Sequence, residues 1–199
     1  MFWDKISGLY DIFEIVYNGK VYRGLGECVA KEIGKDDIVL ECACGTGAIS
    51  RYIAPKCKQL TATDFSKGML KQTWKKCRKY NNIRIRRADM TCLKCRDNRF
   101  DKVVAGNVIH LLEDPYEAVK ELERVCKSGG KIIVPTYINA SARVNKKAVR
   151  LLELAGANFK RQFDLSSYRK FFADAGYEKV EYHIVDGRMP CALAVITKQ

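Results

Sequence analysis

The chain has 199 residues, 47% of them hydrophobic, which is enough for one sizeable core and short for two independent ones. No run of about 18 apolar residues occurs, and Asp4, Lys5, Asp11 and Glu14 break the apolar pattern at the N-terminus; neither a membrane span nor a signal peptide is expected, and the cytoplasm is the expected compartment. The formal net charge of +13 invites a polyanionic partner, but Lys and Arg are spread along the whole chain, densest from Lys75 to Arg87, and no basic tail accompanies them.

The first segment carries Phe2, Ile6, Leu9, Tyr10, Phe13, Val16 and Tyr17 at spacings of three and four, continued by Leu25, Val29 and Ile33, which predicts an amphipathic helix or helices over 1–35. The pattern changes at Ile38-Val39-Leu40 to a short strand, then a glycine-bearing turn, then a helix with Ile49, Tyr52 and Ile53 on one face that ends before Pro55. A second strand, Leu60 to Thr63, closes at Asp64, and Ser66 can cap a helix running to about Tyr80. A third strand, Ile83 to Ala88, closes at Asp89; at a sheet edge its Arg84, Arg86 and Arg87 would oppose edge-to-edge aggregation. A fourth, from about Asp101 to Gly106, closes at Asn107.

Asp114-Pro115 opens the next helix as N-cap and first-turn residue, with Ala118, Val119, Leu122 and Val125 on its buried face, and Ser128-Gly129-Gly130 is expected to stop it. Lys131 to Tyr137 reads as a fifth strand. Helices follow from about Ala142 to Ala155 and from Ser166 to Ala175, then strands near Val180–Val185 and Ala192–Thr197. The short connection Asp186-Gly187-Arg188-Met189-Pro190 fits a hairpin, so the last strand should run antiparallel to its neighbour. Strands alternating with helices argue for βαβ units in a mostly parallel sheet with helices on both faces, an α/β fold.

The chemistry is concentrated at the strand ends. In Val39-Leu40-Glu41-Cys42-Ala43-Cys44-Gly45-Thr46-Gly47, the glycines let backbone N–H groups approach a ligand at a helix N-terminus. A glycine turn alone is equally a tight structural turn. Asp64, about twenty residues downstream, stands where a carboxylate accepts ribose hydroxyls, and Asp89 and Asn107 close the next two strands. In an open α/β sheet those ends border one crevice.

On these residues the chain resembles the class I S-adenosylmethionine-dependent methyltransferases, especially the small type 11 group that includes ubiquinone and menaquinone biosynthesis C-methyltransferases. The likeness runs from about Asp4 to Thr197 and is carried by L-E-C-A-C-G-T-G, A-T-D-F-S-K-G-M-L, R-R-A-D-M and F-D-K-V-V-A-G-N-V-I-H-L-L, and by the stretch from Asp114 to Gly130. It implies a Rossmann-like seven-stranded fold with the last strand antiparallel. One domain over 1–199 is then expected: an N-terminal helical lid (1–35), a cofactor-binding core (36–137), a substrate-side insertion (138–165) and a C-terminal helix and hairpin (166–199).

The resemblance also implies S-adenosylmethionine as cofactor, with S-adenosylhomocysteine as product. Glu41 and the Ala43, Gly45 and Gly47 backbone would surround the methionine part, Asp64 would hold the ribose, and Phe65 and Met69 would flank the adenine. Asp89 would accept from the adenine amino group, the Met90 N–H would face a ring nitrogen, Asn107 would lie beneath the sulfonium, and Tyr10 would reach the carboxylate. Ala43 stands where the family usually has glycine, an exchange that is tolerable if its φ stays negative.

The expected acceptor is a small molecule, held in an apolar pocket between the N-terminal segment (Phe2, Trp3, Tyr10, Phe13) and the 138–165 insertion (Phe159), with Arg143, Lys146, Lys147 and Arg150 able to attract an anionic acceptor. Methyltransferases acting on exocyclic amines of nucleic acid or glutamine commonly carry Asn or Asp followed by Pro-Pro and an aromatic at the fourth strand; Asn107-Val108-Ile109-His110 departs from that. An RNA-directed methyltransferase or RNA-binding module remains the alternative that the charge suggests. A NAD-dependent oxidoreductase would want a third glycine that the turn lacks.

His110 is the best-placed candidate for a base, against the alternative of a histidine lining the pocket or packing under the lid, and His183 reads as structural. Of nine cysteines, Cys42, Cys44, Cys126 and Cys191 read as small buried hydrophobes, while Cys92 and Cys95 form a lone C-x-x-C without the second ligand pair of a zinc site, so no metal is expected. The sequence leaves peripheral membrane contact, and the choice between monomer and homodimer, open.

Overall fold

The computed structural model describes residues 2–139 and 160–199, the side chains of residues 2, 3 and 5–17 excepted. The helix expected near Ala142–Ala155 and the insertion residues Arg143, Lys146, Lys147, Arg150 and Phe159 lie outside the described residues. So do the side chains of Phe2, Trp3, Tyr10 and Phe13.

Seven strands, β1 (Ile38–Cys42), β2 (Gln59–Asp64), β3 (Ile83–Arg87), β4 (Phe100–Ala105), β5 (Cys126–Tyr137), β6 (Val180–Val185) and β7 (Cys191–Thr197), form one sheet in the order β3-β2-β1-β4-β5-β7-β6. The first five pair in parallel, and β7 runs antiparallel to both β5 and β6. The chain is therefore a mostly parallel α/β sheet with its last strand reversed, as the alternation of elements predicts. Strand β3 is an edge, and Arg84 and Arg86 are exposed along it.

Alternation along the strands divides the core between the two faces. On one face Leu40, Cys42, Val103, Ile132 and Val134 pack with Ala118, Val119 and Leu122 of α4 (Pro115–Val125) and with Tyr168, Phe171 and Phe172 of α5 (Leu165–Asp174). On the other, Val39, Leu60, Ala62, Val104 and Ile133 meet Val21, Leu25 and Val29 of α1 (Phe2–Lys31) and Ile53 of α2 (Ser50–Ile53). Helix α3 (Lys67–Cys77) packs on β2, β3 and α1. Each buried aliphatic side chain of this kind contributes about 1.5–3 kcal/mol.

Caps explain the helix starts. Asp114 accepts from the N–H groups of Tyr116 and Glu117 at 3.0 and 3.1 Å, with Pro115 in the first turn. Asp164 and Ser167 form a reciprocal capping box, so α5 begins one residue before the expected Ser166. Helix α1 departs from helical geometry at Asn18 (φ −134°, ψ 21°), whose buried amide donates to the Met189 carbonyl at 3.1 Å and accepts from its N–H at 3.4 Å.

One expectation is corrected. Ser128-Gly129-Gly130 does not stop α4: the helix ends at Val125, because Cys126 already turns extended (φ −75°, ψ 139°), and β5 starts there rather than at Lys131. The two glycines instead absorb an irregularity in the register between β4 and β5. Gly129 has φ +73°, and a methyl group on Gly130 would stand 2.8 Å from the Asp101 carbonyl.

Candidate functional site

The carboxyl ends of β1, β2 and β4 and the segment after β3 surround a cavity of about 350 Å³, within the usual range for small-molecule sites. Glu41, Ala43, Gly45, Asp64, Phe65, Met69, Asp89, Met90 and Asn107 all line it. Side chains from four separate strand ends thus share one wall, which is the convergence their positions in the sequence imply.

The turn after β1 is tied to its surroundings at every step. The Cys44 N–H donates to the Thr63 carbonyl at 2.8 Å, the Gly45 N–H to Asp64 Oδ2 at 2.9 Å, and Thr73 Oγ1 to the Gly45 carbonyl at 2.7 Å. Ala43 has φ +51°, so the negative φ that would make its methyl group comfortable is not adopted. A methyl group built on Gly45 would meet nothing within 4 Å, which leaves that backbone open on the cavity side. Gly47 does not line the cavity. Its α-carbon faces α3, where an added methyl group would stand 3.1 Å from Thr73 Cα, so this glycine serves helix packing rather than the pocket wall.

Glu41 is 2% exposed and accepts from Ser50 Oγ at 2.6 Å. Burial, with a smaller contribution from the charge of Asp64, pushes its carboxyl up to about 8. Burial also raises Asp64, although its two oxygens accept from the N–H groups of Ser66 and Gly45 at 2.8 and 2.9 Å. Asp89 Oδ1 accepts from the N–H and hydroxyl of Thr91 at 2.9 and 2.7 Å, which fixes the carboxylate at the rim. The chemistry of this wall suits a ligand with hydroxyl and ammonium donors, and Met69, Met90 and Phe65 beside it suit a flat apolar ring.

Residues 40–134 match the family model of a methyltransferase domain. Over those residues the chain is similar to the methyltransferase domain of the type 11 family. It is 30% identical over 137 residues to the demethylmenaquinone methyltransferase of Staphylococcus aureus, an alignment covering 66% of this chain and 56% of that relative. The chain thus spans a little over half the length of the curated relatives it matches. In fold it resembles a SAM-dependent methyltransferase from Thermotoga maritima (TM-score 0.74, 19% identity, 100% of this chain and 99% of that one) and one from Aquifex aeolicus (TM-score 0.68, 18% identity, 98% and 97%).

Two residues of the chain stand apart from the expected site. Tyr10 belongs to α1, but its side chain lies outside the described residues. His110, the candidate base, does not line the cavity. It is 5% exposed, its Nδ1 lies 3.0 Å from Thr136 Oγ1, and its ring meets Tyr137 edge-on. Burial lowers it to about 4, so it is neutral near pH 7.

Other lining residues escaped the sequence reading. Tyr22, Val108, Leu111 and Leu112 border the cavity, and the Tyr22 hydroxyl bonds that of Tyr137. The spacing of residues 18, 22, 25 and 29 on α1 carries the signal for Tyr22. Asp4 Oδ1 accepts from Ser66 Oγ at 2.7 Å and from the Gly68 N–H at 2.8 Å, capping α3 from sixty residues away, and no local pattern announces such a contact. Cys92 is exposed and Cys95 half-buried, and among the described residues no group of three His, Cys, Asp or Glu could hold a metal ion.

Proposed function

We infer that this chain is a methyltransferase that binds S-adenosylmethionine in the cavity at the strand ends and methylates a small apolar or aromatic acceptor. The observation that carries the reading is that Glu41, Asp64 and Asp89, from three different strand ends, line one cavity of about 350 Å³ together with Phe65, Met69 and Met90. When bound, the cofactor supplies an electrophilic methyl group on a sulfonium sulfur, which an acceptor displaces in line.

The residues then divide the work of binding and alignment. Glu41 and the open Gly45 backbone take the amino-acid end, Asp64 the ribose hydroxyls, Asp89 and the Met90 N–H the adenine edge, and Phe65 and Met69 its faces. Asn107, in the left-handed region at φ +54° with its N–H held by the Pro135 carbonyl at 2.8 Å, presents its carbonyl side to the reacting centre. Tyr22, Leu111 and Leu112 make the acceptor side apolar, so alignment and exclusion of water are the main contributions of the chain. No base is assigned to His110, because its ring is buried away from the cavity. In the same reading, residues 36–137 are the cofactor-binding core, α1 its lid, and 138–165 part of the acceptor side.

The first test is thermal melting with S-adenosylhomocysteine and with NADH. Stabilisation by the former alone is expected, at about 2.7 kcal/mol for ligand at a hundred times Kd; stabilisation by NADH alone would overturn the reading. The second is transfer of labelled methyl to demethylmenaquinone, because a relative at 30% identity bears that name, run beside simple phenols, amines and single-stranded RNA. Methylation of RNA with none of the small acceptors would replace the acceptor assignment.

A further inference from the structure

The residues between Asp64 and Asp89 hold nine of the chain's 36 Lys and Arg and none of its 23 Asp and Glu. Much of this charge stands on one surface. Lys67, Lys71, Lys75 and Arg78 recur at spacings of four, four and three along α3 and its C-cap, and all are exposed, so they form one outward stripe. Among the described residues, the ion pairs involve none of these four cations.

Apolar side chains interrupt the same surface. Trp74 is 53% exposed within the stripe, and Phe65, 48% exposed, stands just before the helix. Each ring carries a guanidinium over one face: Arg78 lies 5.4 Å from the Trp74 ring centre and Arg87 4.9 Å from that of Phe65. A solvated helix face has no need of an exposed indole beside cations that, among the described residues, form no ion pair.

We propose that the outward face of α3, with Lys67, Lys71, Trp74, Lys75 and Arg78, docks the protein on an anionic phospholipid surface. The cations answer lipid phosphates, and the charge is additive along the stripe because each cation near such a surface gains from its negative potential. Trp74 supplies the amphipathic ring that settles at headgroup depth, where indoles accumulate. A single-stranded nucleic acid is the competing polyanion, but it needs ring faces on which to stack its bases. Here Arg78 and Arg87 already occupy one face of each exposed ring, whereas insertion at a lipid interface leaves those pairs intact. The five docking residues lie outside the cavity lining, with Phe65 beside them at its border, and the proposal stands whether or not the methyl-transfer reading does.

Vesicle sedimentation of the full chain tests it. At about 0.1 M salt, binding to vesicles of equal phosphatidylglycerol and phosphatidylcholine is expected to exceed binding to phosphatidylcholine alone at least tenfold, and to fall at least tenfold on raising the salt to about 0.5 M. The triple variant Lys71→Glu, Lys75→Glu, Arg78→Glu is expected to lose at least tenfold in partitioning while melting as the parent does. Trp74→Phe is expected to remove the vesicle-induced blue shift of fluorescence. Should the triple variant melt early, Lys71→Gln with Lys75→Gln replaces it, with a several-fold loss expected. Equal binding to both vesicle types, binding to neither, parental partitioning of the charge variants, or tighter binding to single-stranded RNA than to anionic vesicles would each overturn the proposal.

Discussion

The N–H of Gly45 donates to Oδ2 of Asp64 across 2.9 Å, joining the turn after β1 to the end of β2. The carboxylate that the proposal gives to the ribose is therefore also a strut of the glycine turn. Its other oxygen is held by the Ser66 N–H at 2.8 Å, so the group is oriented before any ligand arrives. Asp64→Ala should lower S-adenosylhomocysteine affinity about 10- to 150-fold, the range for losing hydrogen bonds to a charged group of about 1.5–3 kcal/mol. Calorimetric titration measures it, and an unchanged Kd would remove the ribose role.

Glu41 predicts a pH dependence. Its carboxyl is pushed up to about 8 by burial, while in the unfolded chain it ionises near its ordinary 4.5. Between those values the folded state keeps a proton that the unfolded state has lost, so stability falls as pH rises through this window and levels off above it. Glu41 should therefore lower the melting temperature of the unliganded protein from about pH 5 to about pH 8, a decline that His110 offsets below about pH 6.5 and that stands alone from there to about pH 8, and Glu41→Gln should remove it. An ammonium-bearing ligand beside Glu41 favours the ionised form, so S-adenosylhomocysteine should flatten the parent's slope. Identical pH profiles for parent and variant would show that Glu41 is already ionised in the fold.

Much of this site was legible because chemistry and topology coincide at strand ends. Asp64, Asp89 and Asn107 each stand at or just past the end of a short strand, and in a parallel sheet such residues come out on one rim. What stayed hidden depends on contacts distant in sequence. Asp4 caps α3 through Ser66 and Gly68, and Asn18 bends α1 by pairing with Met189, 171 residues away. Cys126 ended a helix that the glycines were expected to end, because its backbone is drawn into pairing with Phe100 of β4. Gly47 looked like part of a ligand cradle, and only the nearness of Thr73 shows that it admits a helix.

Ala43 offers a test of strain. At φ +51° an L-residue costs about 1–2 kcal/mol relative to a comfortable conformation, whereas glycine pays only its larger loss of freedom on folding, about 0.5–1 kcal/mol. Ala43→Gly should therefore stabilise the protein by up to about 1 kcal/mol, a rise of roughly 2–4 °C in Tm for a chain of this size. Ala43→Val should destabilise it, since β-branching makes positive φ worse. A lower Tm for the glycine variant would mean that the turn repacks around the methyl group and gains from it.

His110 separates a structural from a chemical role. Burial lowers it to about 4 from its ordinary 6.5, so over that interval the unfolded chain binds a proton that the folded ring refuses. Stability should thus be lost as pH falls from about 6.5 toward 4, and His110→Gln, which keeps a polar group for Thr136 but does not titrate, should lessen the loss. His110→Ala leaves the buried Thr136 hydroxyl short of a partner and should cost about 1–3 kcal/mol. Because the ring is outside the cavity, His110→Gln should keep turnover within a fewfold of the parent once an acceptor is in hand. A drop of about 10²–10⁴ in kcat, with Tm and S-adenosylhomocysteine affinity unchanged, would instead make His110 the base and require the ring to reach the cavity during turnover.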